Sequence, residues 1–85
     1  MRAFHKFALG EPGQMIHAHI PKHAKIVHVA FQPDKGFVLW ADVDTTIPTV
    51  ERSFCIYGTG WGVPDGGTYR GTLFQDEFVW HVVEV

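Results

Sequence analysis

The chain has 85 residues, of which 46% are hydrophobic and 14% aromatic, and its formal net charge at pH 7 is −2. This length accommodates one domain over residues 1–85, its one cysteine excludes an internal disulfide, and its seven scattered Lys and Arg residues argue against binding to duplex DNA. A domain of this size buries only about 60 to 65% of the surface that its unfolded chain exposes, so this apolar content predicts a homo-oligomer.

Seven segments alternate apolar and polar residues, and no segment shows the 3.6-residue spacing of a helix. Gly, Pro and Asp residues bound the segments, as is typical of strands joined by tight turns. The pattern predicts an all-β domain, a small barrel or sandwich of about six to seven antiparallel strands. The predicted strands are Arg2–Leu9, Gln14–Ile20, Ala24–Gln32, Phe37–Val43, Val50–Tyr57, Thr68–Gln75 and Phe78–Glu84.

Two segments carry more specific predictions. The turn sequence Pro33-Asp34-Lys35-Gly36 predicts a hairpin between the third and fourth strands, because proline presets φ and glycine permits a positive φ. The last predicted strand is apolar on both faces, which indicates that both faces are covered. In so small a chain, a second subunit would supply the second cover most easily.

Residues 58–67 form a long loop that holds five of the nine glycines. Glycines let a backbone approach a ligand and turn its N–H groups toward an anion, while Thr59 can donate a hydroxyl and Trp61 can stack on a flat ring. The loop lacks the features of a Walker loop or a dinucleotide fingerprint. It is either a site in which Thr59, Gly60 and Trp61 cradle phosphate and base, with Arg52 and Arg70 pairing charge, or a connection in which Trp61 caps the core.

Histidines are the second group of candidates. His17 and His19 point the same way from one strand, and with His5 or His81 they could ligate a metal. No diagnostic metal motif accompanies them, so we expect no metal site. We expect His17, His19 and His81 to be exposed or at an interface, where they would hydrogen-bond to a ligand or stack on its base.

Catalysis has little support in the residues. Cys55 lies in an alternating strand beside aromatic residues, where a thiol is usually a small buried apolar group. A set of Cys55, His81 and Asp42 can be assembled on paper, as it can in many sequences. We therefore expect a protein that is not an enzyme and needs no cofactor; a hydrolase or metal enzyme using the histidines is the remaining catalytic alternative.

Five stretches of the chain carry a family resemblance: Ile20–Val29, Leu39–Asp44, Ile56–Gly60, Tyr69–Thr72 and Val79–Glu84. They resemble a family of small phage and prophage proteins of unknown function. The likeness covers nearly the whole chain, and Gly58-Thr59-Gly60 and Trp80-His81 are its most specific parts. The resemblance implies a phage origin and action in the bacterial cytoplasm, and it carries no catalytic role.

Phages encode small oligomeric proteins that sequester the nucleotide signals of host defence, such as cyclic ADP-ribose isomers and cyclic oligonucleotides. By this analogy of type, our leading hypothesis is an anti-defence protein that binds such a signal without cleaving it. The alternative is a protein–protein interaction module, either a virion component or an inhibitor of a host protein. No signal-peptide or membrane-spanning stretch is expected, because Gly10, Pro12 and Gly13 interrupt the first apolar segment.

Overall fold

The computed structural model describes residues 1–85 and contains seven strands and no helix. Each strand lies within two residues of its predicted bounds. No helix that could traverse a bilayer is present. The strands are β1 Arg2–Gly10, β2 Ile16–Pro21, β3 Lys25–Gln32, β4 Gly36–Asp44, β5 Thr49–Gly58, β6 Thr68–Gln75 and β7 Phe78–Glu84.

The strands form two sheets, and every pair of neighbouring strands is antiparallel. One sheet has three strands in the order β1-β4-β3, and the other has four in the order β2-β5-β7-β6. The fold is therefore a sandwich rather than the closed barrel that the sequence left open. The predicted all-β class is confirmed.

The core lies between the two sheets and follows the predicted alternation. Phe54 and Ile56 of β5 and Leu39 of β4 are completely buried. Full burial of side chains of this size contributes about 1.5–3 kcal/mol each. The alternate residues of β2, His17 and His19, are exposed on the outer face, so we confirm the predicted facing of this strand.

Turn chemistry connects neighbouring strands as the residue types predict. The β3–β4 hairpin closes through the predicted turn, and Gly36 has a φ of 86°. Only two residues, Asp76 and Glu77, separate β6 from β7, and Asp76 has a φ of 53°. This short turn sets the register of the hairpin, in which Gln75 pairs with Phe78.

The loop of residues 59–67 is a crossover along the four-stranded sheet. Both β5 and β6 are antiparallel to β7, which lies between them, so β5 and β6 are parallel to each other. The connection must therefore run from one end of the sheet to the other, which explains its length.

Close packing also explains one of the loop's glycines. A Cβ at Gly67 would collide with Cγ1 of Val83, whose side chain is only 4% exposed. Val83 points away from the core, whereas the adjacent Val82 is fully buried in it. At these two residues both faces of the last strand are buried, as the sequence predicts. Val82 is buried by the core, and Val83 is covered by the loop of the same chain rather than by a second subunit.

Candidate functional site

An open cleft of about 450 Å³ lies at the end of the sandwich where β5 ends and β7 begins. Its volume falls in the range typical of small-molecule sites. Aromatic rings form much of its wall, and it contains one ionisable side chain. The lining residues are Thr59, Trp61, Glu77, Phe78, Val79 and Trp80.

Trp61 is held over the end of β5 by glycines. Its backbone N–H donates to the carbonyl of Gly58 at 3.1 Å, across a turn in which Gly60 has a φ of 89°. A Cβ at Gly58 would lie 2.8 Å from Cε2 of Trp61, so the indole packs directly on the glycine backbone. On another side of the ring, a Cβ at Gly13 would be 3.7 Å from Cζ3. Trp61 is 50% exposed and lines the cleft.

Trp80 connects the cleft to the core. Its ring meets that of Trp61 edge to face, with centroids 5.7 Å apart and an angle of 82°. It makes a second perpendicular contact with the buried Phe37 at 6.0 Å, and its Nε1–H donates to Oε1 of Gln75 at 3.1 Å. Phe78 stacks beside it at 6.1 Å and 27°, and is 55% exposed. The aromatic wall is therefore anchored in the core on one side and open on the other.

A chain of hydrogen bonds lies on the outer face of the sheet next to the cleft. His81 of β7 has Nε2 at 2.8 Å from Oγ1 of Thr59 and Nδ1 at 3.0 Å from Oγ1 of Thr72. The hydroxyl of Tyr69 is 2.6 Å from Oγ1 of Thr72. A neutral imidazole donates from one nitrogen and accepts at the other, so in that form Thr59 and Thr72 take opposite roles toward the ring. These hydrogen bonds fix the orientation of the Thr59 hydroxyl at the wall of the cleft.

The two segments that are the most specific parts of the family resemblance lie side by side here, and each supplies a residue to these hydrogen bonds. Gly58 is the last residue of β5 and is followed by Thr59 and Gly60, Trp80-His81 lies in β7, and Tyr69 and Thr72 belong to β6. The register places Thr72 directly opposite His81. Residues that are far apart in the sequence therefore form one local arrangement.

The complete chain, residues 1–85, matches the model of a family described as a domain of unknown function, DUF7352. The chain belongs to the DUF7352 family. The resemblance to a family of unknown function is thus confirmed, while the phage origin stays a prediction. No curated protein and no solved structure matches this DUF7352 chain.

The two arginines predicted to pair charge at the site lie elsewhere in this DUF7352 fold. Arg52 donates from Nε to Oε2 of Glu84 at 2.7 Å, and Arg70 donates from Nε to Oε1 of Glu84 at 2.9 Å. Arg52 also donates to the carbonyl of Ala24 at 2.6 Å. The hydrogen bond from Arg52, supported by Arg70, lowers the pKa of Glu84. This partly buried triad lies toward the far end of β7 from Phe78.

Of the three histidines predicted to contact a ligand, one lies beside the cleft and two lie away from it. His81 lies beside the cleft, whereas His17 and His19 lie on β2, which β5 separates from β7. His17 has Nδ1 at 2.8 Å from Oγ of Ser53 and 3.5 Å from Oε1 of Glu51. No group of three or more His, Cys, Asp or Glu side chains is arranged to hold a metal ion.

The structure does not bring Cys55, His81 and Asp42 together as a catalytic set. Cys55 is buried, and its thiol donates to the carbonyl of Gln14 at 3.4 Å. Asp42 belongs to the other sheet, where Arg2 donates to its carboxylate at 2.9 and 2.8 Å. These contacts hold the pKa of Asp42 below its usual value.

The sequence predicts Thr59, Gly60, Trp61 and His81 as site residues, and of these Thr59 and Trp61 line the cleft. Glu77 and Phe78 are not among the predicted residues. Thr72 and Tyr69 could have been found from the two-residue β6–β7 turn, because that turn fixes the pairing of Thr72 with His81.

Proposed function

We propose that this DUF7352 domain is a phage-encoded protein that captures a nucleotide-derived signal of host defence in the cytoplasm of the infected bacterium and does not cleave it. The observation that supports the proposal is the cleft, in which the rings of Trp61, Phe78 and Trp80 adjoin the hydroxyl of Thr59. Stacking of a base on an aromatic side chain contributes about 1–3 kcal/mol.

In this proposal the base, rather than the phosphate, is the principal recognition element. Arg52 and Arg70 are engaged with Glu84, and neither lines the cleft. The base would stack on the aromatic wall, and Thr59 would hydrogen-bond to a polar group of the ring or the ribose. The phosphates would face solvent or a second subunit.

The absence of a chemical step is also part of the proposal. Near the cleft, the arrangement of Thr59, His81 and Thr72 resembles that of a nucleophile, a base and an orienting group. In our proposal these groups hold the Thr59 hydroxyl for ligand binding. Recovery of the ligand separates this role from hydrolysis.

Calorimetry against cyclic oligonucleotides and cyclic ADP-ribose isomers tests the proposal. We expect micromolar or tighter binding to at least one ligand, release of that ligand intact after heat denaturation, and at least tenfold weaker binding by Trp61→Ala. Phe4→Ala is the matched control, because Phe4 is an exposed aromatic residue of β1 in the other sheet. No binding across the panel, or recovery of a cleaved product, would refute the proposal.

A second candidate function, a protein–protein interaction module, rests on exposed apolar side chains of β6. Phe74 is 70% exposed and Tyr69 63% exposed. β6 is an edge strand of the four-stranded sheet, and an edge strand with exposed apolar side chains is a surface on which another chain, including a second copy, can pack. Light scattering tests the predicted homo-oligomer, and capture from host lysate with Phe74→Ser as the comparison tests a foreign partner.

A further inference from the structure

The charge in the cleft is negative. Glu77 is the one ionisable side chain among its lining residues, and it makes no ion pair. It follows Asp76 in the exposed turn between β6 and β7. An anionic group placed in this cleft would meet an uncompensated carboxylate, whereas a cationic group would be attracted to it.

The aromatic wall reinforces this preference. The face of an aromatic ring carries negative potential and attracts a cation placed over it, most strongly when the ring is an indole. Trp61 and Trp80 stand nearly perpendicular, at 82°, and Phe78 is nearly parallel to Trp80, at 27°. The rings of Trp61 and Phe78, residues that are 50% and 55% exposed, lie beside one carboxylate and are suited to a group that is both planar and positively charged.

We infer that the cleft selects a nucleoside whose heterocycle carries a positive charge, such as a ring-alkylated purine, over one with a neutral base. This inference rests on the proposed function and specifies its ligand class. The charged ring would stack on the exposed Trp61 or Phe78, and Glu77 would be its counter-ion. The phosphates of the same nucleotide would point away from Glu77, toward the opening of the cleft.

Two isomeric nucleosides test the inference. N1-methyladenosine has a positively charged ring at neutral pH, and N6-methyladenosine has the same composition and a neutral ring. We expect the intact protein to bind N1-methyladenosine about tenfold more tightly, which corresponds to about 1.4 kcal/mol. Quenching of tryptophan fluorescence measures both affinities.

The variant Glu77→Gln removes the charge of this side chain and keeps its shape, so it tests whether the charge causes the preference for N1-methyladenosine. We expect this variant to lose most of the tenfold preference and to keep the smaller part that the aromatic faces supply, with the affinity for N6-methyladenosine unchanged within about twofold. Glu51→Gln is the matched control, because it removes the same charge from an exposed residue near the start of β5, at the opposite end of that strand from Gly58. It should preserve the tenfold preference.

The outcomes distinguish this inference from the proposed function. Equal binding of the two nucleosides by the unmodified protein overturns the charge preference and leaves base recognition standing. Binding of neither nucleoside, together with binding of a cyclic nucleotide from the panel, also overturns the inference alone. Failure of every nucleoside and nucleotide overturns both, and selective binding of an arginine-rich peptide would assign the cleft to a polypeptide instead.

Discussion

Replacing Gly58 by alanine should open the cleft by displacing Trp61. The new Cβ would lie 2.8 Å from both Cε2 and Nε1 of the indole and 3.2 Å from Cζ2, so the ring must move. A tryptophan buries about 200 Å² when fully enclosed, and half of that corresponds to about 2.5 kcal/mol. Loss of the perpendicular contact with Trp80 adds about 1 kcal/mol. The lower entropy of the unfolded alanine chain offsets about 0.4–1 kcal/mol, which leaves a net loss of about 3 kcal/mol if the ring detaches completely.

Urea unfolding and near-ultraviolet circular dichroism measure this effect. We expect Gly58→Ala to lower the free energy of unfolding by about 2–3 kcal/mol, to weaken the tryptophan dichroism and to bind nucleosides as poorly as Trp61→Ala. Gly62→Ala is the control, because nothing lies within 4 Å of a Cβ at that position. If Gly58→Ala matched Gly62→Ala in stability and dichroism, Trp61 would not depend on the glycine surface.

Two further substitutions test contacts described above. Glu84→Gln should cost about 2 kcal/mol, since the 3–5 kcal/mol typical of a buried ion pair is reduced here by partial exposure. The pKa of Glu84 is lowered in the folded state, so its stabilisation is complete above the ordinary glutamate pKa and is lost as pH falls through the lowered value. Unfolding curves between neutral and acid pH should therefore converge for the two proteins, and curves that stay parallel would contradict this role. Thr72→Val should cost about 1 kcal/mol and alter the nitrogen chemical shifts of His81, with Thr72→Ser restoring both. Unchanged shifts would show that the Thr72 hydroxyl does not orient the ring.

The strands and their facing could be predicted because each depends on local alternation. His17 and His19 alternate with apolar residues that need burial, so their exposure follows from the residues alone. Which residue Arg52 and Arg70 pair with depends instead on the order of the strands in the sheet. Glu84 reaches both arginines because β7 lies between β5 and β6, an order that no local pattern contains.

The candidate site was half predictable for the same reason. Thr59 and Trp61 belong to a loop whose composition is unusual, whereas Phe78 and Glu77 become neighbours of Trp61 only through the crossover. The structure also gives two of the five glycines in residues 58–67 a packing explanation that the sequence could not distinguish from a binding role. Gly67 packs on Val83, and Gly58 supports Trp61.

Strand order has a consequence for when the site can exist during synthesis. β7 follows β5 and β6 in the chain but lies between them in the sheet, and it contributes His81, Trp80 and Phe78. When β6 has left the ribosome and β7 has not, the nascent sheet lacks the strand that carries these residues. The cleft therefore forms only after the seventh strand has inserted between two strands made before it.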